Sequence, residues 1–222
     1  MPPAFAALVA RRAAHEPIAY ITGIRGFWDI DLAVGPGALV PRADSETLIE
    51  AAIDHFGARA PAIILDLGTG PGTLLLAALS RWPRAKGIGI DRSDEALAYA
   101  RHNAAALGVD ATFRTGDWGT GLATRFDLIL ANPPYIGTAE PLPREVRDHE
   151  PAAALFAGAD GLDAYRVLAP QLAGLLAPDG AAVVEIGHRQ AAAVSALLGD
   201  QGLAVTLRRD LGGRDRCLVA TP

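Results

Sequence analysis

From residue 62 onward, short aliphatic runs alternate with longer helical stretches, and this alternation limits the fold more than any other feature of the chain. Residues 62–67, 87–91, 111–115 and 126–131 read as strands, and residues 73–82 and 94–107 as helices. Strands joined through a helix pair in parallel, because the crossover returns the chain to the end where the previous strand began. Helices must then cover both faces of the sheet. The second half continues with a helix over 164–176, a strand over 181–186, a helix over 190–201, and strands over 203–208 and 216–221. No helix separates the last two, so they should pair antiparallel. The expectation is an α/β fold with a seven-stranded, mostly parallel sheet and a final antiparallel strand. With 222 residues, half of them hydrophobic, there is material for one large domain and not two.

Ahead of this pattern, residues 1–15, rich in Ala with Arg11, Arg12 and His15, read as one helix ended by Pro17. Residues 18–41 are punctuated by Gly23, Gly26, Gly35 and Gly37 and hold Phe27, Trp28, Ile30, Leu32 and Val34. The even apolar positions alternate as in a half-buried strand, so a β-hairpin is expected. Residues 44–56 put Leu48, Ile49, Ala52, Ile53 and Phe56 on one helical face, with Ser45 as the expected N-cap and Glu46 in the first turn. This divides the chain into an N-terminal helix and hairpin, residues 1–42, and a main domain, residues 43–222.

Charge and cysteine content narrow the function classes. Twenty Lys and Arg against 25 Asp and Glu give a net charge of −5, so no global field draws the chain to phosphate, and bulk DNA or RNA binding is disfavoured. The single Cys217 forms neither an internal disulfide nor a cysteine metal cluster, which suits a reducing compartment. The apolar runs at 60–65 and 180–184 are too short to cross a bilayer, and Met1-Pro2-Pro3 lacks the basic start of a signal peptide. A cytoplasmic location is expected.

Asp66-Leu67-Gly68-Thr69-Gly70-Pro71-Gly72 stands at the carboxyl end of the first parallel strand and opens a helix. Glycines there let the backbone pass close to a ligand, while the helix N-terminus offers free N–H groups. A dinucleotide fingerprint, G-x-G-x-x-G, needs a glycine at position 73, which is Thr73. The NAD fit fails at that residue. Acidic-x-Gly-x-Gly-x-Gly is similar instead to the first motif of S-adenosylmethionine-dependent methyltransferases of the Rossmann-like class, which assigns Gly68, Thr69, Gly70, Pro71 and Gly72 to the cofactor. A ligand-free glycine turn would also fit the letters, but three glycines at this position cost chain entropy to no purpose. Asp91 ends the second strand, where a carboxylate accepts both ribose hydroxyls. Ser93 is placed to cap the next helix and so leaves Asp91 for that task. Asp117 and Trp118 follow the third strand, where Asp117 would accept from the adenine amine and Trp118 would cover the ring.

Asn132-Pro133-Pro134-Tyr135 follows the fourth strand directly. Two prolines fix the backbone and lack N–H groups, so carbonyls at the turn face an incoming donor without competition. A planar –NH2 group bonded to Asn132 Oδ1 and the Pro133 carbonyl would lie between the Tyr135 ring and the cofactor, its nitrogen aimed at the methyl carbon. These four residues are the expected catalytic set, with Asn132 also touching the cofactor. A double-proline turn with an Asx cap explains an isolated match, but far less readily one that follows a glycine loop of this kind at the end of strand four. Residues 132–160, proline-rich and without periodicity, sit where a functional loop would.

These motifs together resemble a family. Asn132-Pro133-Pro134-Tyr135 with Asp66-Leu67-Gly68-Thr69-Gly70 looks like the nitrogen methyltransferases that act on glutamine amides or adenine. Glu16-Pro17-Ile18-Ala19-Tyr20-Ile21-Thr22-Gly23, Val40-Pro41-Arg42-Ala43-Asp44-Ser45-Glu46, His149-Glu150-Pro151 with Leu155, and Asp160-Gly161-Leu162 are similar to the peptide chain release factor glutamine N5-methyltransferases, the HemK or PrmC family. The resemblance implies a class I methyltransferase fold, S-adenosylmethionine as cofactor, and methyl transfer to the glutamine of the Gly-Gly-Gln loop of class I release factors, giving N5-methylglutamine. It also implies that Phe27, Arg42 and Glu46 border the substrate pocket. Family members carry an N-terminal domain of several helices, whereas fifteen residues precede Glu16 here; residues 1–42 are then a remnant of, or linker from, such a domain.

Three rivals share parts of this reading. An adenine-N6 nucleic-acid methyltransferase would use the same clamp on a flipped base, but needs a basic face and a target-reading domain. A ribosomal-protein glutamine methyltransferase would differ around residues 41–46. A non-catalytic cofactor-binding subunit would not need the intact Asn132. Of the five histidines, only His149 lies in the 132–160 loop, where a pocket-edge or surface place is expected rather than a general-base role.

Overall fold

Pro17 starts a helix rather than ending one. In the computed structural model, which describes residues 3–222, α1 (Pro3–Ala13) stops short of it, His15 turns back through a left-handed φ of 65°, and Pro17 caps a second short helix, α2 (Ile18–Thr22). Met1 and Pro2, included in the expected first helix, lie outside the described residues. The hairpin is accordingly shorter than residues 18–41. Its strands are β1 (Ile24–Phe27) and β2 (Ile30–Ala33), antiparallel with Phe27 opposite Ile30. Ile30, Leu32 and Val34 are buried while Asp31 is exposed, which is the alternation read from the sequence.

A 3-10 turn over Ala43–Ser45 feeds α3 (Glu46–Phe56), which buries Leu48, Ile49, Ala52 and Phe56. Ser45 makes no capping bond there, contrary to expectation. It sits inside the 3-10 turn in helical conformation, and its hydroxyl is engaged elsewhere.

The main sheet is built from β3 (Ile63–Leu67), α4 (Thr73–Arg81), β4 (Lys86–Asp91), α5 (Asp94–Leu107), β5 (Ala111–Thr115), β6 (Phe126–Ala131), α6 (Arg144–Arg147), α7 (Asp163–Leu175), β7 (Leu176–Glu185), α8 (Ala191–Gly199), β8 (Ala204–Arg209) and β9 (Asp215–Thr221). The strand order is β5-β4-β3-β6-β7-β9-β8. All neighbours from β5 to β7 are parallel, and β9 runs antiparallel to both β7 and β8. The seven-stranded, mostly parallel sheet is therefore as expected. The final strand slots between β7 and β8, antiparallel to both.

Both faces are covered, so the central strands are apolar on both sides. Ile64, Leu128, Leu130, Ala181 and Val183 pack toward α3, α4 and the hairpin; Leu65, Leu67, Ile129, Ala131, Ala182 and Val184 pack toward α7 and α8. Each fully buried aliphatic side chain contributes about 1.5–3 kcal/mol. From β3 the chain winds outward through β4 and β5, then returns to the other side of β3 as β6. The loops leaving β3 and β6 thus diverge, and a crevice opens at their carboxyl ends.

Candidate active site

The crevice holds a cavity of about 510 Å³. Its floor is the loop after β3. Asp66, buried at the end of that strand, accepts from the Thr69 hydroxyl at 2.6 Å and the Leu75 N–H at 3.2 Å, stitching the loop to α4. Burial pushes the Asp66 carboxyl up to about 7 against these two bonds, and its Oδ1 has no partner. Gly68 has a φ of 73°, and a Cβ there would stand 3.3 Å from the Trp118 ring, so the indole lies on bare backbone. Gly72 does not line the cavity. It starts α4 with a φ of 89°, where a Cβ would meet Leu76 at 2.7 Å, so its part is close packing beneath the loop.

Gly68, Thr69, Gly70, Pro71, Asp91, Asp117 and Trp118 all line this cavity, together with Asn132 and Pro134. Asp91 is less free than expected. Its Oδ2 accepts from Gly70 N–H at 2.8 Å and its Oδ1 from Ser93 N–H at 2.9 Å, so each oxygen keeps only its remaining lone pair for a ligand hydroxyl. Ser93 caps α5 as expected, accepting from Ala96 N–H at 3.2 Å. Trp118 takes a φ of 51°, a conformation that bulky residues avoid at a cost of about 1–3 kcal/mol and that holds its ring against Gly68.

The turn after β6 forms the opposite wall. Asn132 lines both the main cavity and an adjoining recess of about 190 Å³; Pro133 and Tyr135 line the recess, and Pro134 the main cavity. The tetrapeptide therefore stands at the neck between two spaces. Asn132 Nδ2 donates to Ser45 Oγ at 3.4 Å, the Tyr135 hydroxyl donates to Glu185 Oε1 at 3.3 Å, and Gln190 Nε2 donates to the Tyr135 carbonyl at 2.9 Å. No hydrogen bond among the described residues uses Asn132 Oδ1 or the Pro133 carbonyl. Both acceptors are left for a ligand.

Other candidates fall in different places. Arg42 lines both spaces and is ion-paired with the buried Glu150, whose other oxygen accepts from Val40 N–H at 3.1 Å. Phe27, expected at the pocket border, is instead a core residue at 2% exposure, because β1 turns it inward toward the sheet. Glu46 lines neither space and receives the Trp28 N–H at 3.0 Å. The His149 ring lies 3.3 Å from the Ala14 carbonyl on the exposed side, outside both linings.

Three supporting residues have no signal in the motifs. Asn103, on α5, bonds Ala33 N–H at 2.8 Å, Ala33 C=O at 3.1 Å and Pro71 C=O at 3.0 Å, tying the hairpin to the glycine loop. Glu185, the last residue of β7, and Gln190, in the loop that follows, brace Tyr135. Among the described residues no helix is long and apolar enough to cross a membrane.

Comparison with known proteins agrees with this geometry. Residues 60–186 match the family model described as a methyltransferase domain, and residues 3–23 match the PrmC N-terminal domain. A release factor glutamine methyltransferase of Rhodospirillum rubrum is 48% identical over 98% of this chain and 68% of its own length, and one of Caulobacter vibrioides is 46% identical over 94% and 74%. Among solved structures, a methyltransferase from Pyrococcus furiosus shares the fold at a TM-score of 0.65, with 18% identity over 97% of this chain and 98% of that one. The chain belongs to the release factor glutamine methyltransferase family.

Proposed function

We propose that this protein transfers a methyl group from S-adenosylmethionine to the side-chain amide nitrogen of the glutamine in the Gly-Gly-Gln motif of a translation release factor, giving N5-methylglutamine. The observation that carries the reading is the pair of unspent acceptors, Asn132 Oδ1 and the Pro133 carbonyl, at the neck between two spaces. The main cavity suits the cofactor: the bare backbone at Gly68, the Asp91 carboxylate and the Trp118 ring match its methionine, ribose and adenine parts. The recess bounded by Tyr135, Arg42 and Leu142 admits the glutamine stem.

S-adenosylmethionine supplies an electrophilic methyl on a sulfonium. The chain's task is to make an amide nitrogen, whose lone pair is delocalised into its carbonyl, into an adequate nucleophile. Two acceptors on the two N–H bonds raise electron density on nitrogen and fix its direction, which combines orientation with electrostatic stabilisation of the transition state. Tyr135 closes the recess side of the clamp. Once the nitrogen is alkylated its surplus proton leaves readily to solvent, so His149, outside the site, is not required.

Gly37, Leu39, Pro41 and Arg42, which reach the cavity lining, form the substrate-side element in this reading, and the protein works in the cytoplasm on a protein partner. Mass spectrometry of a purified release factor after incubation with this protein and S-adenosylmethionine tests the proposal. One added methyl on the Gly-Gly-Gln peptide is expected; an unmodified peptide with turnover of the cofactor on another substrate would overturn it.

A further inference from the structure

We infer that Asn103 of α5 is a positioning residue for methyl transfer, one that sets, through residues 33–45, where the clamp stands relative to the cofactor loop. The inference rests on the reading of the two spaces given above. Attack needs the amide nitrogen and the methyl carbon about 3–3.5 Å apart and in line. The neighbouring strands β3 and β6 fix the bases of the two loops that carry these groups, but not their tips. Residues 33–45 are bonded to both tips.

At one end of that segment stands Asn103, which is 2% exposed and spends both its N–H groups and its oxygen. Its Oδ1 accepts from the Ala33 N–H at 2.8 Å, and its Nδ2 donates to the Ala33 carbonyl at 3.1 Å and to the Pro71 carbonyl of the glycine loop at 3.0 Å. A tie between helix and hairpin needs only the two Ala33 bonds; the third brings in the cofactor loop. At the other end, Ser45 Oγ accepts from Asn132 Nδ2 at 3.4 Å. Between them residues 34–42 form neither helix nor strand, so partners outside the segment fix its course. The Val40 N–H and the Arg42 guanidinium both donate to Glu150, and Arg25 Nε donates to the Pro41 carbonyl at 3.1 Å. Leu39 and Arg42 line both spaces, so a shift of this segment moves a wall common to cofactor and substrate.

The register of the segment is set along α5. Glu95, Tyr99 and Asn103 lie four residues apart on one face of that helix, and they meet Gly37, Gly35 and Ala33 in turn. The approach leaves no room for side chains. A Cβ on Gly35 would stand 2.2 Å from the Tyr99 hydroxyl, and one on Gly37, where φ is 89°, would stand 2.5 Å from Glu95 Oε2. Because α5 follows directly on Asp91 and its capping Ser93, the ribose side of the cavity, the glycine loop and the segment are all held by one helix.

The test measures single-turnover methyl transfer to a purified release factor with cofactor and factor both saturating, cofactor Kd by calorimetry, and thermal midpoint. It compares the wild type, Asn103→Ala, Gly35→Ala, and Gly35→Ala combined with Tyr99→Ala. Asn103→Ala should slow transfer roughly tenfold or more, the scale of a small misplacement imposed from a distance. Gly35 lines neither space, yet Gly35→Ala pushes the segment off α5 and should slow transfer similarly, with cofactor Kd changed far less than the rate. Adding Tyr99→Ala makes room for the new methyl, so most of the rate should return while the thermal midpoint falls further. Rate and stability moving in opposite directions is a result that a purely structural role does not give. A wild-type rate in either single variant, losses that follow only the folded fraction, or a double variant slower than Gly35→Ala would each overturn the inference. Should Asn103→Ala fail to fold, the two Gly35 variants decide. A wild-type chain that leaves the release factor unmodified sinks the functional reading itself, a separate and visible result.

Discussion

The two walls of the crevice are made differently. The cofactor wall is backbone: left-handed glycines, N–H groups at the start of α4, and an Asp66 that bonds residues three and nine positions along the chain. The clamp wall is a turn whose supports come from afar, with Ser45, Glu185 and Gln190 lying 87, 50 and 55 residues from their partners. The bonds Asp66 makes form with the glycine loop's own segment, joined later by Asp91, Asn103 and Trp118, whereas the clamp turn draws its hydrogen-bond supports entirely from two distant segments and exists only once the whole domain has packed. Changes on the cofactor wall should therefore act on ligand affinity, and changes on the clamp wall on turnover.

The largest break in this comparison is Asn132→Ala. It removes one of two acceptors while leaving the cofactor wall untouched, so turnover should fall roughly a hundredfold or more with cofactor Kd nearly unchanged. Single-turnover rates beside calorimetry separate the two. A loss that tracked a lowered melting point would make Asn132 a turn former only. The mirror experiment is Asp91→Ala, which removes the ribose acceptor and frees Gly70 N–H. Cofactor binding should weaken by about 1–3 kcal/mol, while kcat at saturating cofactor changes little. Unchanged affinity would place the ribose elsewhere.

How much could be read beforehand follows from the same contrast. The glycine loop, Asp91 and the tetrapeptide after β6 are contiguous motifs, and each lies where its position in the strand order put it. Ser45 was misread because a serine before an amphipathic run signals a cap; in the 3-10 turn in front of α3 its hydroxyl instead accepts from Asn132 after β6. Phe27 was placed at the pocket border by the resemblance alone, whereas β1 turns its ring into the core. Asn103 and Glu185 were invisible because an Asn on a helix and a Glu ending a strand carry no local mark of the buried bonds they make across the domain.

A smaller effect sharpens the comparison from the stability side. Burial raises both Asp66 and Glu185 to about 7, one on each wall. A carboxyl whose folded pKa lies above its unfolded value near 4.5 binds its proton more tightly in the native state, so its contribution is fully present at low pH and is lost as pH rises toward 7. The thermal midpoint should decline over that window, by about 2–4 °C for each kcal/mol lost. Glu185→Gln should show a shallower decline than the wild type. An identical slope would mean that the Glu185 carboxyl is not the buried, proton-holding group described here.

The central claim is that the clamp was built for a group with two N–H donors on a flexible stem. The most direct measurement is transfer of labelled methyl to a release factor carrying Gly-Gly-Gln and to the same factor carrying Gly-Gly-Glu, with duplex DNA as a third acceptor. The account predicts label on the Gln factor alone, because a carboxylate would leave Asn132 Oδ1 and the Pro133 carbonyl buried and unpaired against a like partial charge. Efficient labelling of the Glu factor, or of adenine in the duplex, would contradict it.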